Sequence, residues 1–136
     1  MKLKPGVWLI LAVFLGALAW IAYKSARDKK AAAYAAATPY ERGWMLIEDK
    51  ACTSCHQPGS SFRAPVLNNL WGKTVKLADG SEIVADEAYI KESIIAPMTR
   101  VVAGYQPVMP NYQGQFSDDE LNALIAAMKT PEPHPQ

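Results

Sequence analysis

The run Cys52-Thr53-Ser54-Cys55-His56 sets the terms for the rest of the chain. Two thiols separated by two residues can reach the two vinyl groups of one porphyrin and form thioethers, and the histidine that follows then lies beneath the iron as an axial ligand. A redox dithiol uses the same Cys-x-x-Cys spacing but wants a βαβ surround, and none is visible. A zinc site needs a further good ligand, and the one other histidine, His134, stands in a proline-rich tail. The expected cofactor is therefore one covalently bound haem c, attached through Cys52 and Cys55, with His56 on the metal.

Size agrees with that expectation. A chain of 136 residues has room for one small domain and an appendage. Both cysteines belong to the run, so neither is left for a structural disulfide. A domain of about 95 residues buries little surface by itself, and a porphyrin would supply the missing apolar core. The net charge of +1 divides unevenly: residues 1–38 carry +5 and residues 39–136 carry −4. A mildly acidic domain argues against a nucleic-acid partner.

Residues 5–23 hold no charged side chain and are dominated by Leu, Ile, Val, Ala, Phe and Trp. As a helix they span roughly 28 Å, close to the hydrocarbon thickness of a bilayer. Trp8 and Trp20 fall near its ends, with Tyr23 beyond, where amphipathic rings favour the interface. A cleavable signal peptide with Ala17-Leu18-Ala19 as its processing site is the rival reading. The length of the apolar run and the basic cluster Lys24, Arg27, Lys29 and Lys30 favour a retained single-pass anchor in contact with membrane lipid. Lys and Arg counts alone put the C-terminal flank inside. Haem c is attached outside the cytoplasm, however, so the N-terminus is expected on the cytoplasmic side of a bacterial membrane and the haem domain on the periplasmic side.

The predicted domains are an anchor over 1–24, a helical or flexible linker over 25–38, a haem domain over 39–130 and a disordered tail over 131–136. Thr38-Pro39-Tyr40-Glu41 reads as a capping box with proline at the first helical position. The helix it opens puts Trp44, Ile47 and Ala51 on one stripe and is expected to run into Cys52. Gly43 inside it costs about 1 kcal/mol relative to Ala, which is reasonable where another helix crosses closely. Thr74–Leu77 and Ile83–Val84 flank Asp79-Gly80, a hairpin signal. Asp86 can cap a helix that carries Tyr89, Ile90 and Ile94 and stops before Pro97. Residues 97–116 are irregular and hold Met98, Tyr105, Met109 and Tyr112. Ser117-Asp118-Asp119-Glu120 is a second capping box, and Leu121, Leu124, Ile125 and Met128 follow at helical spacing.

From about Gly43 to Lys129 the chain resembles a class I cytochrome c. More narrowly it is similar to the cytochrome c domain of subunit II of caa3-type oxidases, through Ala85-Asp86-Glu87-Ala88-Tyr89-Ile90, Glu92-Ser93-Ile94, Gly104-Tyr105 and Val108-Met109-Pro110. It departs from that subunit in having one apolar segment and a linker before the haem domain, where the subunit has a copper-binding cupredoxin domain. The resemblance implies an all-α fold of the class I type with a small β-hairpin insertion, preceded here by a single transmembrane helix. It implies metal ligation by His56 and Met109, with Met98 as the rival for the second position. It also implies a contact from the Pro65 carbonyl to the His56 ring, although an ordinary turn proline reads the same way. Trp71, Arg100 and Tyr105 are candidates for the haem carboxylates, each with plain packing or a solvated surface as the alternative.

An iron with His and Met on both axial positions favours outer-sphere electron transfer over oxygen or peroxide chemistry. The expected role is electron transport as a carrier or subunit in a respiratory or photosynthetic chain. Its partners would be membrane complexes: a quinol-oxidising complex, an oxidase or a reaction centre. The competing classes are a haem enzyme or gas sensor with a displaceable Met109, and a chiefly structural subunit of a membrane complex. No carboxylate pair, nucleophile with base or phosphate loop stands elsewhere in the sequence.

Overall fold

Nothing between Pro5 and Thr38 breaks a helix. In the computed structural model, which describes residues 5–57 and 63–129, one helix, α1 (Pro5–Ala36), runs through the whole stretch. Its 32 residues extend over about 48 Å. The apolar side chains along it are open to their surroundings, with Trp8, Leu9, Phe14 and Trp20 all more than half exposed. The helix is long and apolar enough to cross a membrane, a test that a signal sequence near an N-terminus also passes. The chain divides at Ala36 into two units, and the second contains the Cys-x-x-Cys-His run.

That second unit opens with α2 (Pro39–Asp49). Both halves of its capping box are made: Thr38 N–H donates to Glu41 Oε2 (2.7 Å) and Glu41 N–H donates to Thr38 Oγ1 (3.3 Å). Trp44, Leu46 and Ile47 are buried on its inner face. The helix packing on it is α4 (Asp118–Lys129), which buries Leu121, Leu124, Ile125 and Met128. Gly43 is the point of closest approach. A Cβ there would collide with the Ala123 carbonyl and lie 2.7 Å from the Ala127 Cβ. The missing side chain is therefore what lets the helices cross at that distance. The second capping box is also made, with Ser117 N–H donating to Glu120 Oε2 (2.8 Å) and Glu120 N–H to Ser117 Oγ (3.3 Å).

Between these helices lie a hairpin, a short helix and a long loop. Strands β1 (Thr74–Lys76) and β2 (Glu82–Val84) pair antiparallel with Val75 opposite Ile83. Their turn is closed by Asp79, whose carboxylate accepts from the Ser81 N–H and hydroxyl. Helix α3 (Glu87–Ile95) is capped by Asp86, which accepts from Tyr89 N–H at 2.8 Å, and it ends just before Pro97. The expected mostly helical class with one small hairpin is the one observed among the described residues. The expected tail at 131–136 and most of the loop after His56 lie outside those residues.

Two features differ from the sequence expectation. Helix α2 does not run into Cys52: it ends at Asp49, Ala51 is exposed with a left-handed backbone (φ 53°), and Cys52–Ser54 form a 3₁₀ turn. A continuous helix would carry the run onward along the α2 axis, whereas the left-handed residue redirects it. The loop after Pro97 is also tied to the hairpin, which no local pattern signals. Ala78 N–H donates to the Val101 carbonyl and Ala103 N–H to the Lys76 carbonyl, both at 2.8 Å, around a bridge between Leu77 and Val102.

Candidate functional site

The redirected turn, the inner face of α3, the tied-down loop and α4 enclose a cavity of about 380 Å³. Its wall is chiefly aliphatic, with Ile47, Leu67, Ile90, Ile94 and Leu124 among its residues. Cys52, Cys55 and His56 line it from the 3₁₀ turn and the residues just after, and Met109 lines it from the loop. The hydrogen bonds from Ser54 N–H to the Ala51 carbonyl (3.0 Å) and from His56 N–H to the Cys52 carbonyl (3.0 Å) hold that turn together.

His56 is oriented by one contact. Its Nδ1 lies 2.6 Å from the Pro65 carbonyl oxygen. A carbonyl can only accept, so Nδ1 carries the proton and Nε2 keeps its lone pair for a metal. Burial pushes the imidazole pKa below its usual value, partly offset by the Pro65 hydrogen bond. The ring is thus held in the neutral form that a metal requires. Burial also pushes the Cys52 thiol pKa up, against smaller opposing effects from its own backbone and from Lys50. Tyr112 is near enough to both cysteine sulfurs that they reinforce the burial-driven rise of its own pKa. Its ring packs on Phe116 at 5.5 Å, and Lys50 Nζ sits 5.4 Å from the Phe116 ring centre.

The other candidates separate. Pro65, Arg100 and Tyr105 line the cavity with the thiols and His56. Arg100 is anchored by Glu92, with Nε 2.7 Å from Oε2. Trp71 is not on the cavity wall; its ring lies 4.0 Å beneath Lys129 Nζ, which also pairs with Glu87 at 3.9 Å. That cation–π contact gives the indole a structural occupation away from the cavity. Met98 is 55% exposed and likewise absent from the wall, although its neighbour Pro97 lines it. Sequence reasoning passed over Ser93, which lines the cavity from α3. The signal for it was its place on the Tyr89, Ile90, Ile94 face, four residues after Tyr89.

The residues present fit a haem. Two thiols, a neutral imidazole and a thioether share one cavity whose aliphatic walls suit a hydrocarbon macrocycle. Among the described residues, no group of three or more His, Cys, Asp or Glu side chains could hold a metal ion. No curated protein matches the chain. The family described as Cytochrome c does, over residues 40–130, which begins one residue into α2 and takes in every element of the second unit. With that match over about two-thirds of its length, the chain belongs to the cytochrome c family, and its cofactor is covalently bound haem c.

Proposed function

We propose that the chain is a membrane-anchored monohaem cytochrome that passes single electrons from a quinol-oxidising complex to a terminal oxidase or reaction centre. The observation that carries this reading is the shared cavity of His56 and Met109, with His56 locked in the tautomer that frees Nε2. Bound haem c supplies an iron that gains and loses one electron. His56, through Nε2, and Met109, through its thioether, would hold that iron from the cavity wall, and an iron held by both would favour electron transfer over oxygen or peroxide turnover.

Helix α1 supports a single-pass anchor over 1–24, continued by a helical segment that leads to a haem domain over 39–130. The domain would stand on the periplasmic side, where haem c is attached. The narrower likeness to the haem domain of caa3-type oxidases, through the Gly104-Tyr105 and Val108-Met109-Pro110 stretches, favours an oxidase as acceptor. Val108 is 60% exposed beside Met109 and offers an apolar contact for that partner.

The test is redox behaviour in native membranes. The haem of the full chain should be reduced when a quinol is added and reoxidised on admitting oxygen. Haem-stained bands from a mild-detergent extract should carry an oxidase or quinol-oxidising complex with them. A haem that stays oxidised with quinol, or a chain that washes off the membrane, would contradict the proposal.

A further inference from the structure

The α3 face of the cavity contains a polar group that the electron-carrier reading does not use. Ser93 Oγ is buried and has no hydrogen-bond partner, on a wall otherwise built at that point from Ile90, Ile94 and Pro97. An orphaned hydroxyl in an apolar cavity costs about 1–3 kcal/mol unless something arrives to accept its hydrogen. Tyr89, one turn back, is close enough for the Ser93 hydroxyl to favour its ionised form, yet the pair falls short of hydrogen-bond geometry.

The acceptor can be identified by elimination. A haem brings an apolar macrocycle, an iron, and two carboxylates as its only strong hydrogen-bond acceptors. The thioether of Met109 is a weak acceptor by comparison. A carboxylate in an apolar cavity also requires a cation or several donors. Lys50, Arg63 and Arg100 are the cations on the wall. Lys50 acts on the Cys52 thiol, so it stands at the edge where the thioethers form. The haem carboxylates lie on the edge of the macrocycle opposite the vinyl-bearing one. Arg100 belongs to a different neighbourhood: it acts on Tyr89 and Asp79 and is fixed through Nε by Glu92 on α3, the residue before Ser93. Glu92 engages one edge of a guanidinium that has five N–H donors. Arg63 is exposed, two residues before Pro65.

We propose that Ser93 donates its hydroxyl hydrogen to a carboxylate of the bound haem, with Arg100 as the cation paired with that same carboxylate. The inference rests on the haem-site reading and adds to it a positioning residue. Glu92 holds the arginine and Ser93 supplies the second donor, so the two faces of one helical turn present a carboxylate-binding corner.

The test uses the full-length, haem-loaded chain and redox-difference infrared spectroscopy of the carboxylate stretch. Ser93→Ala should shift a haem carboxylate band, Ser93→Thr should restore it, and Arg100→Gln should shift the same band. The sulfur-to-iron charge-transfer band should not change in any of them. A serine that merely turns to the carbonyl one helical turn back, as helical serines do, would leave the carboxylate band in place and overturn the proposal. A change in the sulfur band with Ser93→Ala would overturn it in favour of a contact to Met109. A shift with Arg63→Gln and not with Arg100→Gln would place the carboxylate elsewhere and overturn it too. Failure of the underlying haem-site reading is separately visible, as wild-type protein that carries no covalent haem.

Discussion

The Pro65 carbonyl oxygen lies 2.6 Å from Nδ1 of His56, nine residues back in the sequence and across a loop. This contact puts the proton on Nδ1 and leaves Nε2 with the lone pair that a metal would need. A backbone acceptor cannot be deleted by substitution, but the proline that aims it can. With its φ fixed near −65°, Pro65 limits how far the carbonyl can wander. Pro65→Ala should keep covalent haem and lower the stability of the haem-loaded protein by about 0.4–1 kcal/mol. It should also broaden the His56 ring signals in NMR as the contact loosens. Ring signals as sharp as in the parent would mean that the proline does not aim the carbonyl.

Gly43 allows no side chain. Because the added methyl would meet the Ala123 backbone carbonyl, the clash cannot be relieved by a rotamer change. Gly43→Ala gains about 1 kcal/mol in helix propensity, yet overpacking of this kind typically costs roughly 1–3 kcal/mol. A net loss of stability in chemical denaturation is the expected outcome. A stabilised variant would show that α2 and α4 are further apart than described.

The two capping boxes can be tested separately. Ser117→Ala should cost about 1 kcal/mol in the same denaturation experiment. Glu41 offers a pH test. The Thr38 backbone N–H, and then its hydroxyl, hold the Glu41 carboxyl below its ordinary pKa. A depressed folded-state pKa contributes stability above the unfolded-state pKa, and that stability is lost as pH falls through the folded one. Glu41→Gln should therefore flatten the acid limb of the stability profile below the ordinary carboxylate range. An unchanged acid limb would rule out this contribution.

The division of the chain at Ala36 leads to a truncation. Removing residues 1–36 should release a water-soluble haem protein with the visible spectrum of the full chain, since the cavity draws on no residue before Ile47. Loss of haem binding after normal maturation would show that the domain depends on α1.

Much of this arrangement is legible in the sequence, for local reasons. Capping boxes, the Asp79-Gly80 turn and the stop before Pro97 are written in residues three or four apart, and each forms where its pattern stands. Ala51 was not legible, because no residue type marks a left-handed alanine. Its left-handed backbone turns the chain out of α2 and into the 3₁₀ turn at Cys52–Ser54. The bond between the Val101 carbonyl and Ala78 was hidden for a different reason: it joins segments that share no pattern. Trp71 illustrates the limit for single aromatics, whose sequence context does not distinguish a cavity wall from the underside of Lys129. Ser93 was passed over because a serine among charged neighbours on a helix reads as solvated, and its burial depends on how α3 is turned.

If His56 and Met109 are the two residues that hold the haem iron, the sulfur-to-iron charge-transfer band of the oxidised, full-length protein should distinguish Met109→Ala from Met98→Ala. With Met109 on the cavity wall and Met98 exposed, the band should disappear in Met109→Ala, which should also bind carbon monoxide when reduced, and persist in Met98→Ala. A band that survives Met109→Ala, or vanishes with Met98→Ala, would contradict the assignment.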